Sequence, residues 1–162
     1  MRKRYLFFDI DGTLLAGGYA GYIPVSAKRA LRRLEQEGHF LCIATGRAQC
    51  MALPYMQELG FQNMVSDGGN GITVDGRLLG IEPLCKEDVC ALIRECDEKG
   101  IAWGVQIDNS DTRLVPDERF FQETRDGYLK TASSRAWTLK SSKRFTRLTL
   151  CVPNRKSKSS KR

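Results

Sequence analysis

Two carboxylates stand two residues apart at the end of an apolar run, in Phe8-Asp9-Ile10-Asp11-Gly12-Thr13. Side-by-side anions cost desolvation and mutual repulsion, which a cation or a reacting electrophile offsets. Phosphoryl transfer uses both acids: one carboxylate attacks phosphorus, its neighbour protonates the departing oxygen, and Mg2+ lies between them. The competing reading is structural, a loop whose Asp side chains cap the approach to the first helix, although capping would need only one of them. A second polar cluster, Thr45-Gly46-Arg47, closes another apolar run. A hydroxyl and backbone N–H groups at a helix start suit an anion, and a plain N-cap is the alternative for Thr45.

These residues need strands to hold them. Tyr5-Leu6-Phe7-Phe8 reads as a short buried strand that ends in the polar loop. Pro24-Val25-Ser26 starts a helix over residues 27–37, with Ser26 as N-cap and Ala27, Ala30, Leu31 and Leu34 on its apolar face. Residues 40–44 form a second buried strand, followed by a helix from Thr45-Gly46-Arg47 to Gly60 with a kink at Pro54. Residues 63–65 form a third strand. Strands alternating with helices predict βαβ units and a parallel sheet, whose ligand sites lie at the strands' carboxyl ends.

From Ser66 the texture changes. Asp67-Gly68-Gly69-Asn70-Gly71 is a dense turn cluster, and residues 72–79 read as a hairpin about the turn Asp75-Gly76. Val89, Leu92, Ile93 and Cys96 repeat at helical spacing. A second hairpin spans residues 102–115 about Asp108-Asn109-Ser110-Asp111, a short helix covers 117–124, and residues 144–152 alternate as a last strand.

The net charge of +7 belongs to one end of the chain: residues 1–139 hold 17 basic and 19 acidic side chains, and residues 140–162 hold nine basic and none acidic. The body therefore has no general attraction for nucleic acid or anionic lipid. The tail has no interleaved aromatics for stacking on bases, so nucleic acid is not expected as a partner. No stretch reads as a membrane span or a signal peptide, which predicts a cytoplasmic protein. The six cysteines form no C-x-x-C pair and read as reduced, mostly buried thiols.

The run Phe7-Phe8-Asp9-Ile10-Asp11-Gly12-Thr13-Leu14-Leu15 resembles the first motif of the haloacid dehalogenase-like phosphohydrolases, an apolar strand followed by D-x-D-G-T. The resemblance implies that Asp9 is the nucleophile that becomes aspartyl phosphate and that Asp11 is the general acid and base. It also implies that Mg2+ binds the Asp9 side chain and the Asp11 backbone carbonyl. Ile43-Ala44-Thr45-Gly46-Arg47 is similar to the family's second motif in its T-G-R form, found in the Cof-type subgroup with a class IIB cap. Gly12, Thr45, Gly46 and Arg47 would then surround the phosphate. Asn70-Gly71 and Pro83-Leu84 resemble the passage from core to cap; Asn70 borders the substrate on that reading, and a tight turn needing positive φ is the alternative.

The fold implied is α/β: residues 1–82 the N-terminal part of a Rossmann-like parallel core, 83–152 a partial α/β cap, and 153–162 a disordered basic tail. The implied function is Mg2+-dependent hydrolysis of small phosphomonoesters such as sugar phosphates. The family's third motif, a lysine, and its fourth, a G-D with a further Asp, follow the cap in sequence, and no stretch here matches either. Val105-Gln106-Ile107-Asp108 lacks the Gly and reads as a hairpin, and Lys130, Lys140 and Lys143 read as solvated surface residues. The chain therefore reads as truncated inside its cap. The rival expectation is a catalytically incomplete fragment or a non-catalytic phosphate-binding protein, since losing one electrostatic partner costs ~10²–10³ in rate. The resemblance also puts the first strand mid-sheet beside strands that follow the cap, so self-association through an unpaired sheet edge is expected.

Overall fold

The computed structural model describes residues 2–17, 21–123, 129–133 and 142–151. The chain divides into two compact units, Met1–Glu82 and Pro83–Arg162. In the first, β1 (Tyr5–Phe8), α1 (Val25–Gln36), β2 (Phe40–Ala44), α2 (Gln49–Leu59) and β3 (Asn63–Ser66) form two βαβ crossovers, and β4 (Gly71–Val74) and β5 (Arg77–Ile81) add a hairpin. The five-stranded sheet runs β1-β2-β3-β4-β5, with β1, β2 and β3 parallel and the last two strands antiparallel. The type I′ turn between them uses the two positive-φ residues Asp75 (48°) and Gly76 (77°).

Leu31 of α1 and Ala52 and Met56 of α2 join Ile10, Ile43 and Met64 in one core, against which Phe8 and Leu41 also pack. Because side chains alternate along a strand, only one sheet face meets the helices. Tyr5 and Phe7 point to the other face and are 65% and 59% exposed. The first strand, expected to be buried, is thus covered on one face only, and among the described residues it lies at the sheet's edge. Helix α1 starts at Val25 with Pro24 at its N-cap and no side-chain cap, so Ser26 does not cap it. Helix α2 starts at Gln49 rather than at the T-G-R turn and contains Pro54; Gly60, at φ 76°, ends it in the left-handed conformation.

In the second unit, α3 (Lys86–Glu98) buries Val89, Ile93 and Cys96. It packs with β6 (Trp103–Gln106), all four residues of which are buried. The remaining elements are β7 (Thr112–Val115), α4 (Arg119–Glu123), β8 (Lys130–Ser133) and β9 (Arg147–Leu150), and the sheet runs β8-β7-β6-β9. Strand β7 is antiparallel to β6 and parallel to β8. The Asp108–Asp111 segment is the hairpin turn the sequence suggests, and Asp111 is ion-paired with Lys130 at 2.9 Å. All six cysteines are free; only Cys42 and Cys96 are buried, fewer than the sequence suggests. Lys140 and the expected tail over 153–162 lie outside the described residues.

Candidate active site

The carboxyl ends of β1, β2 and β3 lie on one edge of the first unit because the three strands are parallel. At the first of them, Ile10 is fully buried and holds the flanking acids outward, both exposed. Its carbonyl accepts the N–H groups of Thr13, Leu14 and Leu15 at 2.9–3.4 Å, which pins the loop from beneath. Gly12 takes φ 75°, a conformation that strains any residue with a Cβ. One Asp9 oxygen accepts the Ile10 N–H at 2.8 Å. The D-x-D spacing is therefore a lever: one apolar residue goes into the core and two carboxylates stand at the surface.

Asp11 is gripped by Arg47, whose Nε and Nη2 donate to its two oxygens at 2.8 and 2.6 Å. This fork holds the Asp11 carboxyl below its usual range, against a smaller opposing effect of burial. Arg47 is itself only 7% exposed and its guanidinium lies 4.8 Å from the Tyr55 ring centroid, so α2 braces it. Hydrogen bonding to Asp11 strengthens its hold on its proton. Thr45 follows the end of β2, and its backbone N–H extends the ladder to Val65 at 2.9 Å. Its hydroxyl accepts the Arg47 N–H at 3.1 Å. Gly46, exposed, lies between them.

A third carboxylate, which sequence reasoning left as part of a turn, lies at the end of β3. Asp67 accepts the N–H of Gln49, the first residue of α2, and the Ser66 hydroxyl, both at 3.0 Å. It does this at φ 55°, with its own N–H on the Arg47 carbonyl at 2.8 Å. Gly71 makes room for it: a Cβ there would lie 2.2 Å from Ser66 Oγ and 2.9 Å from Asp67 Oδ2. Asp67 thus fastens the β3 loop to the start of α2 and to Arg47. The available signal was the turn cluster itself, where an Asp and a Gly stand four apart. Asn70 closes the same loop, and its carbonyl accepts the Glu82 N–H at 2.8 Å. The structure brings Asp9, Asp11, Gly12, Thr45, Gly46 and Arg47 to the ends of β1 and β2, and Asn70 to the loop after β3.

The donor chemistry at this edge suits a hard cation. No three His, Cys, Asp or Glu residues gather into a closed cage among the described residues, so a metal here draws on one or two carboxylates. Asp11 is committed to Arg47 and Asp67 to the start of α2, while Asp9 stands exposed at the end of β1. Such a set fits Mg2+, which takes one or two carboxylates and fills its shell with water and phosphate oxygens.

A parallel sheet with acids, a hydroxyl and a guanidinium at its strands' carboxyl ends defines an α/β protein of the kind whose ligand crevice lies at that edge. The chain belongs to the haloacid dehalogenase-like hydrolase family, whose model matches residues 6–157. It is 30% identical over 98 residues to the Bacillus subtilis protein named "Putative phosphatase YkrA", a match covering 60% of this chain and 37% of that one. A solved structure described as an HAD subclass IIB sugar phosphatase superposes with a TM-score of 0.68 at 23% identity, covering 92% of this chain and 58% of the other. A crystal structure from Thermotoga maritima gives a TM-score of 0.70 at 19% identity, covering 93% and 56%. At such identities the two structures show a common fold, and the α/β fold expected from the sequence is the one observed. The chain spans a little over half the length of these solved structures. No helix among the described residues is long and apolar enough to cross a membrane.

Proposed function

We propose that this chain carries the phosphate-handling side of a Mg2+-dependent phosphomonoesterase acting on small phosphorylated metabolites such as sugar phosphates. The observation that carries the reading is the convergence of Asp9, Asp11, Thr45 and Arg47 at the ends of two parallel strands. The phosphatase names of its relatives support the class. On this reading Met1–Glu82 is the N-terminal part of the catalytic core and residues 83–152 are the partial cap that selects the substrate. Its place of work is the cytoplasm, which suits six free thiols.

In this mechanism Asp9 attacks phosphorus to give an aspartyl phosphate, and the departing alcohol oxygen takes a proton from Asp11. Asp11 then removes a proton from water, whose oxygen attacks the phosphorus, releasing phosphate and restoring Asp9. Mg2+ would be held by the Asp9 carboxylate and the Asp11 backbone carbonyl, supplying positive charge to the phosphate oxygens when bound. Thr45 and the backbone of Gly12 and Gly46 donate to the phosphate, and Asn70 borders the substrate.

Arg47 has two claimants. Without substrate its guanidinium holds Asp11 ionised, which suits a base and not an acid. An arriving phosphate competes for the guanidinium, and as Arg47 is drawn to it Asp11 loses the contact that most favours its ionised form. The test is release of phosphate from p-nitrophenyl phosphate and a panel of sugar phosphates, with and without Mg2+. The expected result is Mg2+-dependent turnover that Asp9→Asn removes; turnover equal in wild type, Asp9→Asn and Asp11→Asn would overturn the reading.

A further inference from the structure

We propose that Asp67 is a positioning residue: it caps α2 from the end of β3 and so fixes the turn that presents Thr45 and Arg47, a turn whose use in phosphoryl transfer rests on the phosphatase reading. Helix α2 cannot cap itself. Its N-cap is Ala48, which has no side-chain oxygen to accept an N–H, and its first turn carries no acid. Ala48 and Gln49 are both buried, and a buried N–H needs a protein partner where water does not reach it. Asp67, 18 positions away, accepts the Gln49 N–H through Oδ2 at 3.0 Å. This is a charge-assisted bond at the positive end of the helix dipole.

The same loop holds the turn's other backbone groups. The Val65 carbonyl accepts the Thr45 N–H at 2.9 Å, the Thr45 carbonyl accepts the Gly68 N–H at 3.4 Å, and the Arg47 carbonyl accepts the Asp67 N–H at 2.8 Å. Thr45, Arg47 and Gln49, alternate residues of the turn, are thus each bonded to residues 65–68. The hydroxyl and the guanidinium are built onto the end of β3 as much as onto their own helix. Three features fix the aim of the Asp67 carboxylate. Its backbone takes φ 55°, which Asp tolerates better than most residues with a Cβ. The buried Ser66 hydroxyl donates to the same Oδ2 at 3.0 Å, and Gly71 leaves the space that both side chains fill. With Oδ2 given to α2 and Ser66, Asp67 acts through the turn. The guanidinium that this turn carries meets Asp11 in a two-bond fork, and displacing such a group by about 1 Å can cost ~10²-fold in rate.

Two substitutions in the full chain separate positioning from general stability. Asp67→Gly removes the carboxylate, accepts the positive φ without strain and keeps the N–H that meets Arg47. Asp67→Asn keeps an acceptor oxygen of the same reach and tolerates the same φ. The readout is the Arg47 Nε–H resonance in 15N NMR, whose position reports its bond to Asp11, with the amide of Met56, buried on α2, as the internal control. Asp67→Gly should move the Arg47 resonance toward those of the exposed Arg29 and Arg32 and leave Met56 in place, and Asp67→Asn should return it. With p-nitrophenyl phosphate and Mg2+, Asp67→Gly should lower kcat at least ~10-fold, and Asp67→Asn should recover most of it. An Arg47 resonance unmoved in Asp67→Gly, a Met56 signal that moves as far, or no return in Asp67→Asn would overturn the proposal. A wild-type chain without turnover would count against the phosphatase reading alone, and the Arg47 resonance would still decide the role of Asp67.

Discussion

Two strands of this chain run into a pair of aspartates. Strand β1 leads to Asp9 and Asp11, and β6 leads to the turn holding Asp108 and Asp111. After β1, Ile10 is fully buried and the next strand is parallel, so the loop carrying Thr45 and Arg47 arrives at the same edge. Asp11 then meets a guanidinium from 36 positions away, itself only 7% exposed. After β6 the chain simply turns back into its antiparallel neighbour. Asp111 pairs with Lys130, whose side chain is 77% exposed, and such solvated pairs contribute little. Similar acids at similar strand ends differ because the parallel crossover brings a buried guanidinium to Asp11, whereas the turn after β6 leaves Asp111 to a solvent-exposed lysine.

The sharpest way to break this contrast is to remove one acid from each place. Asp9→Asn should lower phosphomonoester turnover by at least ~10³-fold, and Asp108→Asn should leave it unchanged; equal effects would erase the distinction. Gly71→Ala drives a methyl group into Ser66 and Asp67, and should cost about 1–3 kcal/mol in a urea unfolding curve. An unchanged midpoint would show that the Asp67 latch is not rigid. Arg47→Met should cost about 1–2 kcal/mol, the loss of charge-assisted hydrogen bonds discounted because the Asp11 side chain is 45% exposed.

That last penalty should depend on pH. The folded Asp11 carboxyl titrates below its ordinary value of 3.8, so its contribution is present above that value and is lost as pH falls through the lowered one. The gap in thermal midpoint between wild type and Arg47→Met should be full at neutral pH and narrow below about pH 3.8. A gap that widens in acid would contradict the pairing. The smallest effect is expected from Lys130→Ala, which should leave the thermal midpoint where it was.

The parallel half of the fold was legible because each of its strands is an apolar run closed by a polar loop, and the D-x-D-G-T run marked its own strand end. The hairpin at Asp75-Gly76 was equally plain, since two successive positive-φ residues ask for that dipeptide. Strand β8 was not legible: Lys130–Ser133 has no apolar alternation, and its place is fixed by its pairing with β7. Four apolar residues in β1 could not say whether one or both faces are covered, which is a property of the neighbours. Nor could the sequence join Arg47 to Asp11, or give Asp67 its work at the start of α2, because both contacts depend on where β2 and β3 end.

The contrast between the two acid pairs rests on the proposal that Asp9 accepts the phosphoryl group, and covalent trapping asks this directly. The full chain, incubated with Mg2+ and acetyl phosphate as a small phosphoryl donor, is treated with sodium borotritide, which reduces an acyl phosphate on Asp to tritiated homoserine. Label should appear at position 9 and vanish in Asp9→Asn. Label at Asp11, Asp67 or Asp108, or none at position 9 in the wild-type chain, would contradict the assignment.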